Sequence, residues 1–179
     1  MTTEPIRSAW LITGLPGAGK STVARLLAAA MPRVAVISGD QLSACIVSGA
    51  VFPGQEPREE ARRQQLLTVD HQCLLARSFA EAGFVPVMEY VVVERSRLER
   101  YRAGLPDLDL HVVVLHPSRE VILQRDRDRE QASVANHFVH LQPILEAELA
   151  GLGLWIDTGE LTAEETVRLL LAQAERARL

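Results

Sequence analysis

Lysine is almost missing from this chain: Lys20 is the only one among 19 basic residues. Cysteine is nearly as scarce, and Cys45 and Cys73 are too few for a disulfide framework or a four-ligand zinc site. Both lie among apolar residues at helical spacing, and both are read as packing residues. Charge or proline interrupts every apolar run well before the ~18 residues that a membrane-crossing helix needs, so no membrane partner is expected. A basic excess is missing as well. With a net charge of −4 and a pI of about 5.7, the chain has no electrostatic footprint for nucleic acid, and none is expected as a partner. Glu4 and Pro5 precede only a short apolar stretch, which fits no secretory signal, so a cytoplasmic location is the expectation.

The 179 residues, 47% of them apolar, suit a single domain over residues 1–179 with one continuous core. Apolar runs at Ser8 to Thr13, Val34 to Ser38, Phe84 to Val93, Leu110 to Leu115 and Leu152 to Asp157 predict five strands. Helical spacing predicts helices at Ser21 to Ala30, from Asp40 toward Gly49, and at Pro57 to Ala82 and Glu94 to Arg102. Further helices are expected from Ser118 to about Gln131, from about His137 to Ala150, and after a Thr162/Glu165 capping box. Strands alternating with helices predict an α/β fold, a parallel sheet with helices on both faces.

Between the first strand and the first helix lies Gly14-Leu15-Pro16-Gly17-Ala18-Gly19-Lys20-Ser21-Thr22. Glycines bracket a four-residue gap and are followed by Lys and a hydroxyl residue, the pattern of a phosphate-binding loop. In that setting successive backbone N–H groups and a helix N-terminus converge on phosphate oxygens. Arginine serves almost everywhere else that a cation stands, so the lone ammonium marks a position needing a compact point charge that reaches the outer phosphates. Ser21 is placed to hold Mg²⁺ through its hydroxyl. Asp40, just after the second strand, can either cap a helix or orient a hydroxyl and take its proton.

On the phosphate loop and Ser38-Gly39-Asp40 the chain resembles the P-loop small-molecule kinases, the group that includes gluconate kinase, chloramphenicol phosphotransferase and the tunicamycin resistance proteins. The resemblance implies a P-loop NTPase fold of the nucleoside-monophosphate-kinase kind, with a five-stranded parallel sheet and a helical lid at about residues 125–140. It further implies ATP and Mg²⁺, and a hydroxyl group on a small molecule as phosphoryl acceptor. Gly14 through Thr22 would hold the nucleotide, Asp40 would face the acceptor hydroxyl as base, and Arg125 and Arg129 would reach over ATP from the lid. A drug-sequestering protein without turnover and a toxin-type kinase of sugar nucleotides are the rival readings within the same resemblance.

Asn136-His137-Phe138 departs from the Gly-His-Phe of gluconate kinases, and Met88-Glu89-Tyr90 replaces the Asp-Gly-Phe-Pro-Arg of adenylate kinases. Glu89 is the one carboxylate in the third strand, open to a water-mediated Mg²⁺ role or an arginine pair. His137 and His140 lack a third ligand at a metal-binding spacing. Asp126, Asp128 and Glu130 can make the helix around Arg125 a solvated, salt-bridged one. Asp157-Thr158-Gly159 lies where the family passes its backbone along adenine. Arg58, Arg62, Arg63, Arg95, Arg97, Arg100 and Arg102 flank the family's acceptor pocket, and the sequence does not choose among them.

Overall fold

The computed structural model describes residues 6–128 and 135–179. Five parallel strands form one sheet: β1 (Ser8–Thr13), β2 (Val34–Ser38), β3 (Val85–Glu89), β4 (Asp109–Leu115) and β5 (Leu154–Ile156), in the order β2-β3-β1-β4-β5. The register pairs Ile12 with both Glu89 and Val113, which places β1 centrally with its C-terminal end opening into the glycine loop.

The helices are α1 (Lys20–Ala29), α2 (Gly39–Ser43), α3 (Arg58–Glu81), α4 (Arg95–Gly104), α5 (Arg119–Arg127), α6 (Gln142–Glu148), α7 (Ala163–Ala172) and α8 (Ala174–Ala177). Side chains alternate across a strand with a period of two, so each central strand feeds two cores. Ala9, Leu11, Met88, Val112 and Val114 pack with Val69, Cys73 and Ala76 of α3 and with Leu98 and Tyr101 of α4. Trp10, Ile12, Val87, Val113 and Leu115 pack on the other face with Val23 and Leu27 of α1 and Val167 and Leu170 of α7. Both faces of β4 are buried, as its near-continuous apolar run implies. Thr162 and Glu165 form the expected capping box at the start of α7.

Three elements differ from the sequence-based expectation in ways that the packing explains. The ladder of β3 ends at Glu89, because β1 turns away at Gly14 and leaves no strand edge to pair with. The Thr13 hydroxyl substitutes for that edge, accepting from the Val92 N–H at 2.9 Å and lying 3.2 Å from the Val92 carbonyl. Helix α2 stops at Ser43 and does not run toward Gly49. Beyond it the chain is held by Gln64 of α3, whose amide donates to the Gly49 carbonyl and accepts from the Val51 N–H, each at 2.8 Å. Cys45 is consequently exposed and is no packing residue, whereas Cys73 is buried and burial pushes its thiol up to about 11. The segment from His137 is not one helix: two 3₁₀ turns, Ala135–His137 and Val139–Leu141, precede α6. Pro143, with no N–H to give, sits in the first turn of α6.

Among the described residues no helix is long and apolar enough to cross a membrane.

Candidate active site

Strand β1 ends in a loop that only glycine can build. Gly14, Gly17 and Gly19 have φ of 142°, 89° and 99°, all in the region that favours glycine. A Cβ on Gly14 would come 2.4 Å from the Leu115 carbonyl oxygen, and one on Gly17 would come 2.9 Å from the Ile122 carbonyl oxygen. The loop therefore lies against the ends of β4 and α5, with the first turn of α1 directly behind it. Lys20 opens that helix and is buried, its Nζ donating to the Leu15 carbonyl at 3.2 Å across the loop. Ser21 and Thr22 are exposed.

A cleft of about 580 Å³ opens beside the loop, lined by Lys20, Ser21 and Thr22 together with Asp40 of α2 and Arg97 of α4. Asp40 is exposed, and it is not the cap of its helix: the Ser38 hydroxyl holds that place, accepting from the Gln41 N–H at 3.4 Å. Gly39 keeps the turn close to the third strand, since a Cβ there would come 2.3 Å from the Tyr90 ring. Gln72 of α3 ties the two strand ends together. Its amide donates to the Ile37 carbonyl at 2.8 Å and to the Glu89 carbonyl at 3.2 Å, and its oxygen accepts from the buried Tyr101 hydroxyl.

Glu89, at the end of β3, is 2% exposed, and its Oε2 has no hydrogen-bond partner among the described residues. Burial pushes its carboxyl above the ordinary range; the Ser38 hydroxyl and the Lys20 charge oppose that rise, the Asp40 charge adds to it, and the Ser21 hydroxyl opposes it. A buried carboxylate with an unmet oxygen beside a serine hydroxyl is an all-oxygen donor set, which fits a hard divalent cation such as Mg²⁺ once phosphate oxygens and water complete the shell.

The same burial gives a pH-dependent expectation. Burial favours the neutral carboxyl, so ionising Glu89 costs stability as pH rises from its ordinary 4.5 through the raised value. Glu89→Gln carries no such cost. Its melting temperature should therefore gain on that of the wild type as pH rises from 4 to 7. A melting difference that stays constant across that range would contradict the assignment.

A second cleft, of about 370 Å³, lies behind the loop and is lined by Gly17, Gly19, Thr22, Arg125, Thr158 and Thr162, among others. Arg125 is anchored there: its guanidinium donates to the Thr158 hydroxyl at 3.0 Å and to the Thr158 carbonyl. The Thr158 hydroxyl in turn donates to the Ala18 carbonyl at 3.4 Å. Arg125 thus joins α5, the loop after β5 and the glycine loop, while Asp40 lies in the first cleft. Arg129 lies outside the described residues, as does Glu130 and part of the expected lid at 125–140. Asp126 is buried, not solvated, and accepts from the Ala135 N–H at 3.1 Å. His137 and His140 are exposed, and no metal-ligating cluster of three such side chains occurs among the described residues.

The structure also sorts the seven arginines. Arg58, Arg63 and Arg100 pair with Glu56, Glu60 and Asp70, and Arg62 and Arg95 lie 3.9 and 3.8 Å from Glu94 and Glu99. Of the seven, Arg97 alone lines the first cleft. It went unselected in the sequence because nothing in a run of alternating arginines tells the inward face from the outward one.

An AAA domain family model matches residues 10–147. No curated protein sequence matches the chain. Among solved structures it is similar to the tunicamycin resistance protein of Deinococcus radiodurans, at 23% identity over 96% of this chain and 97% of that one, with a TM-score of 0.66. It is similar to a gluconokinase from Sinorhizobium meliloti, at 20% identity over 97% and 94%, TM-score 0.65. It is also similar to the APS kinase of Mycobacterium tuberculosis in complex with AMPPNP and APS, at 16% identity over 96% and 99%, TM-score 0.68. The fold is that of the P-loop kinases.

Proposed function

The chain belongs to the AAA domain family and has the P-loop kinase fold, and from that premise we propose that it moves the γ-phosphoryl group of ATP to a hydroxyl of a small molecule. The observation that carries the reading is the first cleft, where the phosphate loop with Lys20 and Ser21 shares one cavity with Asp40 and leaves room beyond for a second molecule. An APS kinase of the same fold, seen with AMPPNP and APS, supports a nucleotide and an acceptor held together in one such molecule.

In this reading the loop N–H groups and the N-terminus of α1 receive the β- and γ-phosphate oxygens. Lys20 exchanges the Leu15 carbonyl for phosphate oxygens. Ser21 and Glu89 would hold Mg²⁺, which would supply positive charge against the phosphate oxygens. Asp40 orients the acceptor hydroxyl and accepts its proton as the hydroxyl oxygen bonds to the γ-phosphorus. The bond from that phosphorus to the β,γ-bridging oxygen breaks, and ADP leaves with the electron pair. Arg125, held by Thr158, shapes the second cleft, where the adenosine would lie.

The test is ADP formation with ATP and Mg²⁺ against a panel of hydroxylated antibiotics, sugars and nucleosides. ADP release that depends on the added compound supports the proposal. Tight binding of a compound with ATP, with no ADP formed from any of them, would favour sequestration.

A further inference from the structure

Beyond the phosphate loop and Asp40, the walls of the first cleft are mostly apolar: Ile46, Phe52, Val91, Val93, Phe138 and Leu141 line it. Phe52 is 60% exposed and stands on the segment that Gln64 clamps at Gly49 and Val51, so an apolar ring is presented at the cleft by an anchored backbone. Few polar groups remain for recognising an acceptor. Ser43 is engaged with Thr68, its hydroxyl 3.0 Å away, which leaves Gln65, Tyr90 and Arg97.

Arg97 is unusual among the arginines of its helix. Its side chain is 11% exposed, and its one ion pair among the described residues is a 3.5 Å contact from Nη2 to Glu94. Its Nε is buried without a hydrogen-bond partner among the described residues. A buried guanidinium donor left unmet is costly, and a planar fork of donors is shaped to take a carboxylate, phosphate or sulfate oxygen. A polyol acceptor would instead need a ring of hydrogen-bonding side chains, and these walls do not provide one.

Resting on the kinase reading of this cleft, we propose that the acceptor is amphipathic. It has an apolar, ring-sized body against Phe52, Val93 and Phe138, an anionic group on Arg97, and a hydroxyl presented to Asp40. Arg97 is then a specificity-determining residue for the acceptor, and Phe52 its apolar counterpart.

The experiment uses para-(hydroxymethyl)benzoate, the corresponding benzamide and gluconate as probes. Binding is measured by calorimetry in the presence of AMPPNP and Mg²⁺, and transfer is measured separately with ATP. The wild type should bind the benzoate about 10- to 100-fold more tightly than the benzamide, the range of a charge-assisted hydrogen bond. Arg97→Met should abolish that preference while AMPPNP affinity stays unchanged, and Arg97→Lys should restore part of it. Phe52→Ala, a change at an exposed side chain that leaves folding intact, should weaken both aromatic probes alike. A wild type without carboxylate preference, or one that prefers gluconate to both aromatic probes, overturns the proposal even if ATP is turned over. Carboxylate-selective binding lost in Arg97→Met, with no transfer to any probe, would leave the contacts assigned to Arg97 standing and favour sequestration over transfer.

Discussion

Lys20→Ala is expected to lower kcat/KM for phosphoryl transfer by about 10²–10³-fold, the range found when one preorganised transition-state donor is removed, and to weaken ATP binding as well. The lysine is buried at the head of α1, where it donates to the Leu15 carbonyl at 3.2 Å. That bond spans a loop whose shape the three glycines already impose, so the variant should still fold. Arginine should not rescue it. A guanidinium is wider than an ammonium and carries its charge over a plane, and the only lysine in a chain with 19 basic residues occupies this place. Calorimetric titration with ATP checks the binding half, and unchanged affinity would reject the role given to Lys20.

Asp40→Asn should have a comparable effect on turnover with none on nucleotide binding. Asparagine keeps the size and one acceptor oxygen but cannot take a proton from a hydroxyl at neutral pH. Loss of general-base help is worth about 10²–10⁴-fold in rate. The structure sharpens this expectation, because Ser38 caps α2 and Asp40 does not. The change therefore removes no cap, and thermal stability and ATP affinity should match the wild type. Full activity in Asp40→Asn would take the base from this residue, and Glu89 would be the neighbouring carboxylate to examine next.

The sequence carries the elements whose signals are local, whereas contacts between distant segments leave no mark in it. Strands β1 and β2 match their expected limits because each is a short apolar run closed by a glycine. The glycine loop and the Thr162/Glu165 capping box are likewise complete within a few residues. The end of β3 escaped because it depends on where β1 turns away, and the end of α2 because it depends on Gln64, well along α3. Glu89 could be seen as a lone carboxylate in a strand, but its burial beside Lys20 and Ser21 follows from strand order. Arg125 could be seen as one of a pair on a mixed-charge helix. Its engagement with Thr158 joins residues 33 positions apart, which no periodicity reveals.

The most direct measurement of the central claim follows the γ-phosphoryl group itself through the acceptor-panel assay, using ATP labelled in that group. The account predicts that, with the right acceptor, label appears in a phosphate ester on the acceptor hydroxyl, one for each ADP released, and that Asp40→Asn slows its appearance. Label that stays in ATP while the acceptor is tightly held, or that appears only as inorganic phosphate with every compound, would contradict it.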